Sequence, residues 1–444
     1  MASAFLSRTH TASNRKTFTF STWVKISNLG QKYFIGTWDG SHPTFGMYLK
    51  SDDTLEIFNY TSSYDLQITT NRKFRDVSAW YHIVVAVDTT QSTSSDRVKV
   101  YVNGVQETSF ATATYPSQNF DTDFNTAKTI YYFQNATNSA YWDGLVSHTH
   151  LTDGYAYTPS TFGETDSTSG IWKPKSSPSG VSYGTNGFFL KFENSANMGL
   201  DSSGQTNNLT VGGTITQSPD TPSNNFATFN LLETPEPGET PTYSNGALQG
   251  VSTNGGHING ISTLAVETGK WYAEFKITNR SGDTDDFIGC IAAPATDLGT
   301  NDLTTPASNN RSYGIRGGGG KYEAGSGSSF HGGWSVNDII GVGLDVTNNR
   351  IYFSKNGQWQ NGTSWDSATP NSYITLPSGN TWHFFCGDTS NSYNYTWQAN
   401  FGSGYFGTTQ VSSSNADANG HGLMEYAPPS GYYTLNTKNI KEFG

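Results

Sequence analysis

The chain has 444 residues, a net charge of −11 at neutral pH and only 14% charged side chains. The acidic balance argues against nucleic acid and against an anionic membrane surface as partners, because both attract basic proteins. The length suits two domains of roughly 190 residues each. Plentiful Tyr, Phe, Trp, Gly, Ser, Thr and Asn favour β structure with long polar loops.

No stretch of the chain approaches 18 consecutive apolar residues, and the first residues lack the apolar segment of a secretory signal. We therefore predict no membrane insertion and synthesis in a cytoplasm. The cysteines, Cys290 and Cys386, fall in separate predicted strands. Two thiols do not make a disulfide framework, so we expect buried reduced thiols, with a bridge between neighbouring strands as the alternative.

In chain order, the N-terminal half begins with strand-like alternation. Thr17–Ile26 places apolar residues at every second position, and Trp80–Asp88 is long and mostly apolar, which is typical of a central strand. Arg97–Gln106 is a β-branched and aromatic run interrupted by Asn103 and Gly104. These two residues tolerate positive φ, so they predict a two-residue type I′ turn and a tight hairpin.

The second half repeats this pattern after a polar, proline-rich stretch. Ile339–Asp345 is an apolar strand, and Arg350–Trp359 carries a second Asn-Gly pair at Asn356 and Gly357. We predict an all-β fold with two jelly-roll-like β-sandwich domains joined by a Pro/Ser/Asn-rich linker. The first sandwich, the extended linker, the second sandwich and a C-terminal tail are predicted at residues 1–193, 194–243, 244–437 and 438–444.

Strand sequences in both halves resemble known families. The first domain resembles the concanavalin A-like lectin and laminin G sandwich in Phe18–Lys25, Trp80–Asp88, Val98–Val105 and Tyr141–Gly154. The second resembles a SPRY domain in Gly269–Ile277, Asp338–Asp345 and Arg350–Gly357. The first resemblance implies a lectin-like sandwich, and the second implies a sandwich that binds partners through its loops.

Phrases outside these strands resemble virion proteins of tailed phages, especially marine ones. They are Leu6–Thr9, Asp201–Gly204, Leu209–Val211, Pro222–Asn230 and Tyr426–Gly431. The resemblance implies a structural or adhesive protein on the virion surface, made in the host bacterial cytoplasm, with other virion proteins as partners. Fibre-associated proteins are often trimers, so a homotrimer is an option, although the sequence carries no trimerisation signal. The first strand begins near Met1 and leaves no anchor before it, so the sandwich faces or Thr437–Gly444 would dock on the particle.

Concanavalin-like sandwiches include glucanases, so a hydrolase must be weighed. Retaining glycosidases need two carboxylates about 5–5.5 Å apart. In that family they come from Glu-x-Asp-x-x-Glu or Glu-x-Asp-x-Glu, and neither run occurs here. Gly180–Gly184 matches Gly-x-Ser-x-Gly but lacks the preceding strand and following helix of a nucleophile elbow. We expect no enzymatic activity and no required cofactor.

A metal site is a weaker hypothesis. His148 and His150 would share one strand face, with Asp143 and Asp153 close in sequence. Lectins of this fold often hold Ca²⁺ through Asp and Asn oxygens, so Ca²⁺ at Asp143 and Asp153 is the alternative to a purely structural role.

Glycan binding needs only an aromatic face for the sugar ring and polar groups for its hydroxyls. The candidate contact residues for glycan or protein are Trp38, Tyr64, Trp142, Tyr155, Tyr157, Tyr313, Arg316, Lys321, Tyr322, His331 and Trp334. The hypothesis is a non-enzymatic host-recognition adhesin, of tail-fibre or appendage type, that binds a host cell-surface glycan or protein through its loops. The alternatives are a capsid-decoration or head-knob protein and a cytoplasmic SPRY adaptor that binds a peptide.

Overall fold

The structure is a computed structural model of the chain. It describes residues 3–38, 40, 42, 44–232, 241–252, 259–282, 284, 286–293, 311–323, 326–388 and 394–444. The chain divides into two compact units, Met1–Gln217 and Ser218–Gly444. No helix in the described ranges is both long enough and apolar enough to span a membrane.

The first unit is built from antiparallel strands and two short 3-10 helices, Ser94–Asp96 and Pro159–Thr161. Its strands are β1 (Phe5–Thr9), β2 (Thr17–Ile26), β3 (Lys32–Gly36), β4 (Thr44–Leu49), β5 (Thr54–Tyr60), β6 (Tyr64–Lys73), β7 (Trp80–Asp88), β8 (Val98–Val102), β9 (Val105–Glu107), β10 (Phe110–Thr114), β11 (Thr129–Tyr132), β12 (Gly144–Asp153), β13 (Gly163–Thr165), β14 (Trp172–Pro174), β15 (Phe188–Leu190) and β16 (Thr210–Gly212).

Two sheets of the first unit pack face to face. One has the order β10-β6-β5-β4-β3-β11-β1-β16 and the other β15-β12-β2-β7-β8-β9, with β13 and β14 forming a separate hairpin. Their inner faces meet in aromatic contacts, such as that of Phe18 in β2 with Phe45 in β4, whose ring centroids are 5.6 Å apart. Both rings are almost fully buried. The alternation read from Thr17–Ile26 therefore identifies the side of β2 that faces the other sheet.

The second unit is also antiparallel, apart from one short parallel pair and a C-terminal helix α1 (Thr437–Phe443). Its strands are β17 (Thr242–Ser244), β18 (Gln249–Val251), β19 (Asn259–Ile261), β20 (Lys270–Arg280), β21 (Asp286–Ala292), β22 (Ser312–Arg316), β23 (Gly320–Glu323), β24 (Ser326–Ser329), β25 (Ile339–Asp345), β26 (Arg350–Lys355), β27 (Gln358–Asn361), β28 (Ser364–Ser367), β29 (Tyr373–Thr375), β30 (Trp382–Asp388), β31 (Tyr395–Asn400), β32 (Tyr405–Phe406), β33 (Thr409–Gln410) and β34 (Tyr433–Thr434).

The second unit is likewise a sandwich of two main sheets. Their orders are β17-β18-β31-β20-β25-β26-β27-β28, with β29 beside β26 and β34 beside β20, and β19-β30-β21-β22-β23-β24. Large side chains such as Trp271 and Trp397 fill the space between them. Cys290 and Cys386 are buried and form no disulfide with each other, as expected. The prediction of an all-β chain with two sandwiches is confirmed.

Both predicted hairpins are confirmed. Asn103 and Gly104 have φ of 50° and 83°, and Val102 pairs directly with Val105 across them. Asn356 and Gly357 have φ of 49° and 81°, and Lys355 pairs with Gln358. Positive φ at both central positions is what a type I′ turn requires.

The boundary between the units lies inside the segment predicted as a linker. β16 pairs with β1, placing Val211 opposite Leu6, so residues 194–217 belong to the first unit. Phe226 and Phe229 are buried in the second unit. A few large apolar side chains therefore anchor this stretch despite its polar composition. Residues 233–240 of the predicted linker lie outside the described residues.

The predicted C-terminal tail is ordered as α1. The Asn436 side chain caps the helix by accepting a hydrogen bond from the Asn439 N–H. Phe443 stacks on Tyr433 at 3.8 Å between centroids, so the helix packs on the second unit.

Candidate functional site

Seven aromatic rings lie in series on the outer face of the larger sheet in the first unit. Neighbouring centroids are 4.6 Å apart for Trp38 and His42, 4.6 Å for His42 and Tyr60, 5.1 Å for Tyr60 and Tyr64, 6.2 Å for Tyr64 and Phe58, 5.8 Å for Phe58 and Tyr48, and 4.7 Å for Tyr48 and Tyr33. We call these seven residues the aromatic band. Tyr64 is its most exposed tyrosine, at 46%.

Strand periodicity places the band on the outer face. In β5, Leu55 and Ile57 face the core and are fully buried, whereas Phe58 and Tyr60 are only half-buried. Trp38 and His42 lie in the connection between β3 and β4. The band crosses β3 to β6, roughly 14 Å at the usual strand spacing. That span suits an extended oligosaccharide better than a single sugar.

A recessed carboxylate lies beneath the rings. Glu56 in β5 is buried, and its carboxylate accepts hydrogen bonds from the Tyr48 hydroxyl and the Thr69 hydroxyl, both at 2.9 Å, and from the Gln67 amide at 3.3 Å. The Lys50 ammonium lies 3.6 Å from the same carboxylate. These contacts fix the Tyr48 ring and compensate the buried charge. The band therefore combines a preformed aromatic face with polar groups at its base.

Three tyrosines of the band, Tyr33, Tyr48 and Tyr64, keep their hydroxyl protons at physiological pH. Burial, together with the nearby Glu56 carboxylate, raises the pKa of Tyr33 to about 12. Burial also raises the pKa of Tyr48 and of Tyr64, again with a contribution from Glu56. These phenols can therefore donate as well as accept hydrogen bonds.

Gly46 allows the Phe58 ring to lie across β4, because a Cβ at this position would collide with that ring. Gly46→Val is expected to displace Phe58 and to lower the free energy of unfolding by about 1–3 kcal/mol. Chemical denaturation measures this loss. In the double variant with Phe58→Ala, most of the added loss should disappear. If Gly46→Val lowered the free energy of unfolding equally in the wild-type and Phe58→Ala backgrounds, the loss would not come from a collision with the Phe58 ring.

The other candidates of the first unit lie elsewhere. Trp142 is buried against Phe34, with centroids 4.8 Å apart, so the expectation that it is exposed is wrong. Tyr155 is 43% exposed and stacks on Tyr157 at 5.9 Å, forming a smaller aromatic patch. Trp38 and Tyr64 are the candidates that belong to the aromatic band, where His42 and Tyr60 lie between them.

Three candidates of the second unit are also buried. Tyr313 packs edge-on against Trp382, and His331 stacks on Trp334 at 5.3 Å. Tyr313, His331 and Trp334 are each at most 7% exposed, so they are core residues and the expectation of exposure is wrong.

The remaining candidates of the second unit are nearer the surface and already have partners. Arg316 lies over the Tyr322 ring and donates to its hydroxyl at 2.8 Å. Lys321 pairs with Glu323 at 2.9 Å and lies over the Phe330 ring. These contacts occupy the side chains without forming a shared site.

The structure separates the two carboxylates proposed for Ca²⁺. Asp143 and Asp153 lie at opposite ends of β12, roughly 30 Å apart at the usual rise per residue, so they cannot hold one ion together. Asp153 accepts hydrogen bonds from Ser13, Asn125 and the Asn186 N–H.

Asp143 lies near the buried ammonium of Lys32, which donates to the carbonyls of Asn28 and Gly30, both at 2.9 Å. Burial lowers the pKa of Lys32 to about 8, and the nearby carboxylates of Asp143 and Asp53 oppose that shift. A lysine therefore supplies the positive charge near Asp143.

The two histidines of β12 are not a metal pair. The strand bulges between Ser147 and His150, and His148 has a φ of 43°. The His150 ring is buried against Phe189, 3.9 Å between centroids, and its Nδ1 lies 3.0 Å from the Tyr183 hydroxyl. Across the described ranges, no group of three His, Cys, Asp or Glu side chains could hold a metal ion.

Sequence reasoning missed most of the band, namely Tyr33, His42, Tyr48, Phe58 and Tyr60, together with Glu56. A signal was present in Thr54–Tyr60, where Glu56, Phe58 and Tyr60 alternate with Leu55 and Ile57. Aromatic residues at positions opposite the core face would have indicated an outer aromatic surface.

Comparisons with family models agree with this architecture. Residues 3–161 match the concanavalin A-like lectin/glucanases superfamily, and residues 270–387 match the SPRY domain. The chain thus carries a concanavalin A-like domain followed by a SPRY domain, two domains of binding type. A search of curated proteins gave no match.

Among solved structures, the chain is similar to the SPRY domain of human HERC1, with 19% identity, a TM-score of 0.28, and coverage of 36% of this chain and 91% of that one. It is also similar to a heptameric SAP-like pentraxin from Limulus polyphemus, with 18% identity, a TM-score of 0.29, and coverage of 48% and 89%.

Proposed function

We propose that the chain is a non-enzymatic adhesin of a virion surface that binds host cell-surface glycan through the aromatic band of its first unit. The observation that carries the proposal is the continuous series of seven rings, with Tyr64 exposed at its middle and the Glu56 carboxylate beneath. Sugar rings pack their apolar faces on aromatic side chains, while neutral phenols exchange hydrogen bonds with sugar hydroxyls.

The band is shallow, so each contact is weak. Many copies on one particle would raise the avidity by linking individual binding events. The virion setting is supported by the phage-like phrases of the sequence, such as Tyr426–Gly431. Because the aromatic band is long enough to contact several sugars of one polysaccharide, we expect it to hold the polymer without cleaving it.

The test uses the purified full chain, displayed multivalently, and a panel of immobilised bacterial envelope polysaccharides. Tyr64→Ala and Trp38→Ala are each expected to weaken binding to the polysaccharide that wild type prefers by about tenfold, the usual effect of removing an aromatic contact. Tyr155→Ala is the matched control, because Tyr155 is similarly exposed at 43% but lies outside the band. It should bind like wild type.

Other outcomes would point to other functions. Failure to bind any polysaccharide, with saturable binding to phage capsids, would replace the adhesin by a capsid-decoration protein. Loss of binding on adding a Ca²⁺ chelator would show that an ion contributes. New reducing ends in the bound polysaccharide would contradict the non-enzymatic assignment.

A further inference from the structure

The second unit contains a cleft that no sequence motif indicated. Its volume is about 640 Å³, within the range of small-ligand sites. One wall comes from strands of the larger sheet, with Lys270, Arg350 and Trp359, and the other from the C-terminal segment, with Tyr426 and Tyr432. We call this site the basic cleft.

The strand wall of the basic cleft is packed against residues of the opposite wall. Tyr272, Tyr352, Trp359, Met424 and Tyr432 form a buried cluster separate from the main core. These side chains therefore have little freedom to collapse into the cleft. A ligand would meet a preformed aromatic wall, which lowers the ordering cost of binding.

A buried carboxylate holds the opposite wall in place. Glu274 in β20 accepts hydrogen bonds from the N–H groups of Glu425, at 2.9 Å, and Tyr426, at 2.7 Å. The Asn400 amide donates to the same carboxylate at 3.2 Å. Two consecutive main-chain groups are thus fixed to the sheet at the start of the segment that lines the cleft. The position of the Tyr426 ring follows from this anchor.

The basic cleft is lined by two cations, Lys270 and Arg350, and by one carboxylate, Asp345. Asp345 is buried, and its carboxylate accepts two hydrogen bonds from Asn348, at 3.0 and 2.8 Å, and pairs with the Lys270 ammonium at 3.1 Å. The Arg350 guanidinium instead lies 4.3 Å from the centroid of the Tyr373 ring. No carboxylate in the described part of the chain forms an ion pair with Arg350. Asp345 lies directly across from Arg350 in the pairing of β25 and β26, so this one carboxylate faces both cations of the cleft. One positive charge therefore remains in excess, in a chain whose net charge is −11.

We propose that the basic cleft binds a saccharide that carries a carboxylate, with Arg350 holding the carboxylate and Tyr426 and Trp359 lining the sugar ring. A guanidinium matches the two oxygens of a carboxylate with paired N–H donors. Because the cleft has a single positive charge in excess, it suits a ligand with one negative charge better than a ligand with two. The Asp345 carboxylate can accept hydrogen bonds from sugar hydroxyls but would repel a second carboxylate of an acidic peptide.

The test measures binding of the full chain by calorimetry to three probes that each carry one carboxylate: galacturonate, mannuronate and sialyllactose. Wild type should bind at least one of them at least tenfold more tightly than its neutral methyl ester. Arg350→Gln should remove this preference, and Arg350→Lys should retain part of it, because it keeps the charge but loses the paired donors.

Lys276→Gln is the control for net charge. Lys276, in β20, lies over the Phe406 ring as Arg350 lies over the Tyr373 ring, but it does not line the cleft. It should bind like wild type. Tyr64→Ala in the first unit should also leave this affinity unchanged, so the two proposed sites can fail independently. Equal affinity for acid and ester, tighter binding of triglutamate peptide, or no binding of any probe would overturn the proposal. Unfolding midpoints of the variants show whether a loss reflects the site or the fold.

Discussion

Lowering the pH from 6.5 to 4.5 is expected to destabilise the first unit by roughly 5 kcal/mol through His82 and His10, two of its buried neutral histidines. His82 is fully buried, with the Trp23 ring stacked on it at 4.5 Å. Its Nδ1 accepts a hydrogen bond from the Trp172 indole at 3.0 Å, and Ser21 lies 2.9 Å from its Nε2. Both nitrogens are therefore occupied in the neutral form.

His10 is held in the same way, between Asn125 at 3.0 Å and the Tyr132 hydroxyl at 2.9 Å. Burial lowers the pKa of His82 and of His10 from 6.5 to about 3. Between these values the unfolded chain binds more protons than the folded one, so the free energy of unfolding falls as the pH falls. Each histidine contributes at most about 1.4 kcal/mol per pH unit. Over two pH units, the loss from His82 and His10 together is comparable with the total free energy of unfolding of a small domain, about 5–15 kcal/mol.

The second unit should respond less to acid. Burial lowers the pKa of His331 to about 4, which acts in the same direction. Burial also raises the pKa of Glu274 from 4.5 to about 7, despite opposing hydrogen bonds. The folded state therefore binds the Glu274 proton more tightly, and this term increases stability as the pH falls from 7 to 4.5. The two terms partly cancel.

Hydrogen exchange measured peptide by peptide at pH 6.5, 5.5 and 4.5 would follow each unit separately. His82→Gln should reduce the acid sensitivity of the first unit by up to about 1.4 kcal/mol per pH unit. The same substitution at the partly exposed His421 serves as the control. Parallel acid unfolding of both units, unaffected by His82→Gln, would refute the histidine mechanism.

The second large effect is expected at a buried ion pair in the second unit. The Arg280 guanidinium donates to the Asp286 carboxylate at 2.7 Å, with both side chains at most 9% exposed, and also to the Trp334 carbonyl at 3.2 Å. Asp286→Ala leaves the guanidinium buried without its carboxylate, which should cost about 3–5 kcal/mol of unfolding free energy.

A double-mutant cycle separates the charge from the lost packing. Replacing Arg280 by Met in the Asp286→Ala background should recover part of the loss, because no charge is then left unpaired. The partly exposed pair Lys321 and Glu323 is the control, and Glu323→Ala should cost about 0–1 kcal/mol. If the losses of unfolding free energy at Arg280 and Asp286 were additive, the two side chains would have no interaction free energy, which would contradict the prediction.

Much of the architecture followed from the sequence by itself. The alternation in Thr17–Ile26 and the Asn-Gly pairs at Asn103 and Asn356 encode strand faces and turn type locally, through the side-chain period of two and the tolerance of positive φ. The alternation in Thr54–Tyr60 carries the same kind of signal for Phe58 and Tyr60, although the prediction of binding residues did not include them. These features depend on residues within a few positions of one another, so they could be predicted.

The tertiary structure decided which faces are open. The hairpin of β13 and β14 places Trp172 on His82, so an outer sheet face became a buried layer, whereas the aromatic band stayed uncovered. The basic cleft joins Lys270, Arg350 and Tyr426, which are far apart in sequence. Strand alternation gives every strand a face toward the core and a face away from it. Whether the face away from the core is covered by another element or meets water depends on packing between residues far apart in sequence.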